Sequence, residues 1–136
     1  MARTIPLLSL AAGLALAACV MAPSPVARSG AQDYGDYCAG CHGVSGKGDG
    51  AMAANLARRP ADLTLLARAN GGSFPTTRVM AKIWGYTGGK GGGVMPNFGP
   101  LLEGDLVPYD GGDGIQTPTP IRLVQIAEHV QSLQAR

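Results

Sequence analysis

The pentapeptide Cys38-Ala39-Gly40-Cys41-His42 constrains this chain more than any other feature of its 136 residues. On a helical turn, positions i, i+3 and i+4 share one face, so Cys38, Cys41 and His42 point the same way. Two thiols and an imidazole in that order form the attachment pattern for c-type haem. The sulfurs can add across vinyl groups on one edge of the porphyrin, and the imidazole is then held beneath the iron as proximal ligand. Competing readings lack partners. A structural zinc site needs about four nitrogen or sulfur ligands, and outside the motif the chain offers only Cys19 and His129. A thioredoxin-like dithiol belongs beside a βαβ pattern, and no alternating run precedes Tyr37. A disulfide would leave His42 without a role.

The first residues read as an export signal. Arg3 supplies the charged start, and Ile5 to Ala18 is an uncharged, mostly apolar run. It ends in Leu16-Ala17-Ala18-Cys19, which resembles the lipobox of bacterial lipoproteins, in which the cysteine is lipidated and becomes the first mature residue. This reading accounts for all three cysteines, two on haem and Cys19 on lipid. Two other readings stay open: cleavage near Ala22, giving a soluble protein, and an uncleaved anchor over Ile5 to Ala22, which at about 18 residues is just long enough to span. All three place the protein outside the cytoplasm. The expected organisation is a signal peptide over 1–18, a lipidated tether over 19–29 rich in proline and serine, and one domain over 30–136.

Charge excludes one class of partner. Removing the leader takes Arg3 from the 11 basic residues and leaves 9 acidic ones, a formal charge of +1. Two haem propionates would bring it to about −1. The lysines Lys47, Lys82 and Lys90 are scattered along the sequence. Nucleic-acid binding needs basic residues clustered on one face, and no such run is present. With 1 Trp, 4 Tyr and 2 Phe, the chain is thinly supplied with large core side chains. A buried porphyrin would provide the flat apolar surface they do not.

The pattern predicts a helix over Gly30 to Cys41 carrying Tyr34 and Tyr37, then a glycine loop over Gly43 to Gly50. A short helix is expected over Ala61 to Ala69, and another over Thr76 to Trp84, where Val79, Met80, Ile83 and Trp84 make a helical stripe. Gly85 to Gly93 and the stretch after Met95-Pro96 read as irregular. In the final segment Thr119 suits an N-cap and Pro120 the first helical turn. Leu123, Ile126, Ala127, Val130 and Leu133 fall on one face, with Arg122, Gln125 and Ser132 opposite. No segment alternates convincingly, so the expected fold class is all-α, with long glycine-rich loops wrapped around a cofactor.

From about Gly30 to its C-terminus the chain resembles the class I c-type cytochromes, small helical haem proteins that carry electrons. Gly30 and Tyr34 stand where that family has a glycine and an aromatic before the first haem cysteine, meeting the C-terminal helix at a close crossing. Gly48-Asp49-Gly50-Ala51 through Leu56, then Pro60-Ala61-Asp62-Leu63-Thr64, looks like the family's loop beneath the proximal histidine. Met95-Pro96-Asn97-Phe98-Gly99 looks like its distal-ligand motif. The resemblance implies one covalent haem c with His42 and Met95 as axial ligands, attached on the far side of a bacterial membrane. It implies that the carbonyl of Ala51, where the family often has proline, receives the histidine N–H. It offers Trp84 and Tyr86 as hydrogen-bond donors to a haem propionate, beside the alternative of a core Trp and a loop Tyr. It also places Gly85 to Gly93 by the exposed haem edge. At position 129 the family usually has an aromatic; His129 departs from this, either as a surface histidine or half-buried against Tyr34. Among the other methionines Met80 reads as core, Met52 lies too near His42 to cross the haem, and Met21 lies in the tether or signal.

The expected function is that of a one-electron carrier with His/Met ligation in an extracytoplasmic electron-transport chain, serving a redox-protein donor and acceptor and anchored to the membrane on the periplasmic side by lipid on Cys19. A closed six-coordinate iron leaves no position for a small-molecule substrate, and no hydrolytic constellation is present, so the expectation is not an enzyme. Two alternatives stay open: a haem subunit of a membrane oxidase or periplasmic dehydrogenase, and a peroxidase or gas sensor with a labile sixth ligand.

Overall fold

A computed structural model describes residues 28–86 and 94–135. The signal segment, Cys19 and Met21, and the glycine run over 87–93 with Lys90, lie outside them. The first helix starts from a capping box. The Ser29 hydroxyl accepts from the Gln32 N–H at 3.2 Å, and the Ser29 N–H donates to Gln32 Oε1 at 2.8 Å. Arg28, one residue earlier, donates to Asp33 and Asp36. Helix α1 (Gly30–Tyr37) then runs to Cys38. The single helix expected through Cys41 is instead two: Cys38 opens to φ −114° and ψ −40°, and the motif forms its own turn, α2 (Ala39–His42).

The glycine loop leads through a 3-10 turn (Ala53–Asn55) to a second one (Leu63–Leu65) and α3 (Leu66–Ala69). The Asp62 carboxylate starts this segment by accepting from the Thr64 N–H at 2.9 Å and its hydroxyl at 2.6 Å. Helix α4 (Thr76–Trp84) has the bounds its apolar stripe predicts, and ends at Gly85, whose φ of 99° is the left-handed C-cap that favours glycine. A short α5 (Gly99–Leu102) follows.

The stretch after it corrects the all-α expectation. Strands β1 (Leu106–Asp110) and β2 (Gln116–Pro120) pair antiparallel, with Pro108 opposite Pro118 and Leu106 opposite Pro120. The prolines all fall in the same alternating set of pairs, which leaves Val107–Thr119 and Tyr109–Thr117 to carry the ladder bonds. The hairpin tip is held by two carboxylates: Asp110 Oδ1 accepts N–H groups from Gly112, Asp113 and Gly114 at 2.8, 3.1 and 3.0 Å, and Asp113 Oδ1 accepts from Ile115 at 3.0 Å. The last helix, α6 (Ile121–Ser132), begins after Pro120, so Thr119 lies within a strand and does not cap.

Helices α1 and α6 cross closely, as the glycine at 30 anticipates. A Cβ on Gly30 would lie 2.0 Å from the Gln125 carbonyl oxygen. Below the crossing, Tyr34, Ile83, Leu102, Ile126 and Val130 form the buried core. The face of α6 that reads as polar is partly enclosed. Arg122 binds Asp33 through two bonds of 2.8 and 2.7 Å and donates to the Leu101 carbonyl at 2.6 Å. Asp33 is fully buried, and the Arg122 guanidinium lies 5.8 Å from the Tyr37 ring centroid. Among the described residues no helix is long and apolar enough to cross a membrane.

Candidate haem site

Cys38, Cys41, His42 and Met95 line one cavity of about 460 Å3, enclosed by α1, α2, α4, α6 and the two loop segments between them. That volume lies within the roughly 300–1,000 Å3 of small-molecule and cofactor sites. The walls are apolar, with Leu63, Leu66, Val79, Ile83, Phe98 and Ile126 among them. Both cysteines are free thiols. Burial pushes the Cys38 thiol up to about 11, with Asp33 and Cys41 adding to the effect, so its sulfur is neutral at physiological pH. Among the described residues no three His, Cys, Asp or Glu side chains converge on a bare metal ion.

The imidazole is aimed by the backbone. His42 Nδ1 lies 3.0 Å from the Ala61 carbonyl oxygen. A carbonyl can only accept, so Nδ1 carries the proton and Nε2 keeps its lone pair. The orienting carbonyl is therefore that of Ala61, after Pro60, and not that of Ala51. The loop from Gly48 to Ala51 has a different task. A Cβ on Gly50 would meet the Gly40 carbonyl oxygen at 2.4 Å, so the loop lies directly against the haem-motif turn. Tyr34, almost fully buried, donates to the Gly43 carbonyl at 2.8 Å and so braces the residue after His42. Burial raises its hydroxyl to about 12.

His129 lies beside that tyrosine, half-buried, with ring centroids 4.9 Å apart and planes tilted by 53°. Burial lowers its pKa. Met80 is buried core and Met52 is exposed. Trp84 and Tyr86 stand away from the haem-motif cavity. Both line a second cleft, on the other side of α4. In their place the first cavity carries four cations, Arg58, Arg59, Arg78 and Lys82, and no acidic side chain among the described residues. They come as two pairs from separate stretches, Arg58-Arg59 in a loop and Arg78 with Lys82 on α4, and only the folded chain shows that the pairs converge. Their charges suit the two propionates of a haem whose ring occupies the apolar interior.

Two thiols, one imidazole with a free nitrogen, one thioether and an apolar slot with a cationic rim fit a covalently held haem, and the comparison with known families agrees. The family model described as Cytochrome c matches residues 27–106, more than half of the chain. No curated protein and no solved structure matches it. The chain belongs to the cytochrome c family. It is a haem c electron-transfer protein, in a family that works on electrons passed between redox proteins and generally not on a substrate. The matched stretch stops at Leu106, the first residue of the hairpin.

Proposed function

We propose that this protein is an exported one-electron carrier holding one haem, with Cys38 and Cys41 as its thioether anchors and His42 and Met95 as the axial ligands. It shuttles between a redox-protein donor and acceptor on the periplasmic side, tethered by lipid on Cys19. The observation that carries the reading is the presence of Met95 in the same cavity as the two thiols and the imidazole. Bound haem supplies a one-electron couple at its iron. Everything else is the chain's work. Ala61 holds the His42 ring with its proton away from the cavity. Met95 offers a soft, neutral sulfur, which favours Fe(II) and raises the potential. The apolar walls exclude water and disfavour the extra charge of the oxidised state. Export and lipidation rest on the leader sequence, Arg3 through Cys19.

The test is a pair of visible spectra of the holoprotein, wild type beside Met95→Ala. The sulfur-to-iron charge-transfer band is expected in the wild type and absent from the variant, and the reduced variant alone should bind carbon monoxide. A band that survives the substitution would sink the ligand assignment.

A further inference from the structure

Helix α4 is a wall with a cavity on each face. Val79, Lys82 and Ile83 face the haem site, while Thr77, Met80, Ala81 and Trp84 face a second cleft closed on its far side by the hairpin. That cleft, about 920 Å3, is lined by three aromatics, Trp84, Tyr86 and Tyr109, and by two carboxylates, Glu103 and Asp113. No Lys, Arg or His lines it among the described residues. Tyr86 is 81% exposed and Leu106 59%, which is a large apolar surface to leave in water. The Trp84 and Tyr86 rings stand 6.4 Å apart at the mouth. Neither Glu103 nor Asp113 forms an ion pair with a described residue.

We propose that this cleft is a docking site for a basic protein partner, and that it takes a lysine or arginine side chain of that partner between the aromatic rings and the two carboxylates. The inference rests on the electron-carrier reading only for the partner's being a redox protein. Charge complementarity selects the occupant. Aromatic faces attract a cation placed within about 6 Å, and a carboxylate beside them adds direct Coulomb attraction. The same arrangement repels an acidic surface, whereas the cationic rim of the haem cavity repels a basic one. A basic partner is thus turned from the rim toward the hairpin. There it lies one helix from the haem site, a thickness of about 10–12 Å. All of the hairpin that closes the cleft except Leu106 lies beyond the stretch matched to the family.

Nuclear magnetic resonance of the reduced, full-length holoprotein tests this. Trp84 is the chain's single tryptophan and gives one indole N–H resonance. The probe is an N-acetylated, C-amidated tetralysine peptide, with tetraglutamate as control. Tetralysine is expected to shift the Trp84 signal saturably and tetraglutamate to leave it in place. Glu103→Gln with Asp113→Asn, both at exposed positions, should weaken tetralysine binding at least tenfold. The paired control Asp36→Asn with Glu128→Gln should leave it unchanged. No shift, an equal shift with tetraglutamate, or equal weakening by the control pair overturns the proposal. The visible spectrum recorded on the same samples reports the haem ligands separately, so failure at the cleft is not mistaken for failure of the axial assignment.

Discussion

On one side of α4 the chain builds an apolar slot with four cations at its rim; on the other it builds an aromatic cleft with two carboxylates. The helix between them contributes to both. Its nine residues alternate allegiance because 3.6 residues per turn send neighbours to different faces. The lesson is that one short helix can separate two chemistries by carrying two cations, Arg78 and Lys82, on one face and Met80 and Trp84 on the other. The haem side draws most of its lining from residues inside the family match, with Ile126 and Val130 of α6 outside it. The cleft side takes much of its own from the hairpin outside it.

The largest effect should come from the thiols. Cys38→Ser with Cys41→Ser is expected to leave pigment that acid-acetone removes completely, while Glu103→Gln with Asp113→Asn retains its colour in the pellet. Pigment lost from both would erase the distinction between the two faces.

A step smaller is the buried ion pair that anchors α6 behind the slot. Asp33→Ala strands Arg122, and breaking a buried pair costs roughly 3–5 kcal/mol; about 3 is expected, since Arg28 and Arg122 retain partial access to water. Denaturant unfolding measures it. Arg122, and then Arg28, hold the Asp33 carboxyl below its ordinary 3.8. Its contribution is therefore complete above that value and lost as the pH falls through the lower, folded-state pKa. Gly30→Ala forces the α1–α6 crossing apart and should cost roughly 1–3 kcal/mol in the same assay, the range for overpacking.

Gentler still, Arg78→Gln with Lys82→Gln removes two cations that favour the reduced iron. Potentiometry should show the midpoint falling by on the order of 10 mV per charge at low ionic strength, less at high salt. A smaller change, of opposite sign, is expected from the cleft pair. The weakest effect is that of His129. Burial holds its folded pKa below 6.5, so the unfolded chain takes up a proton first and stability declines as pH drops through that window. His129→Phe should abolish this slope below about pH 6.5 and leave the Asp33-dependent loss at lower pH in place.

What could be read in advance follows from how local the signal is. Cys38, Cys41 and His42 share one helical turn, and α4 has its full stripe in consecutive residues, so both were legible without a structure. The hairpin was not. Pro108, Pro118 and Pro120 argue against a strand in sequence, and only the register shows them sharing the pairs that need no N–H. Arg122 reads as solvent-facing on a wheel because its partner, Asp33, comes from the other end of the chain. The choice of Ala61 over Ala51 for the histidine bond turned on where a loop returns, which spacing alone does not encode.

The close approach of Gly30 to Gln125 ties the first helix to the last. Nothing synthesised early can complete that clasp until the final residues arrive, and the loop to be closed is most of the domain. Cys38 and Cys41 emerge well before Gln125, while α1 still lacks its partner helix. The clasp is thus among the last contacts that synthesis of the chain allows.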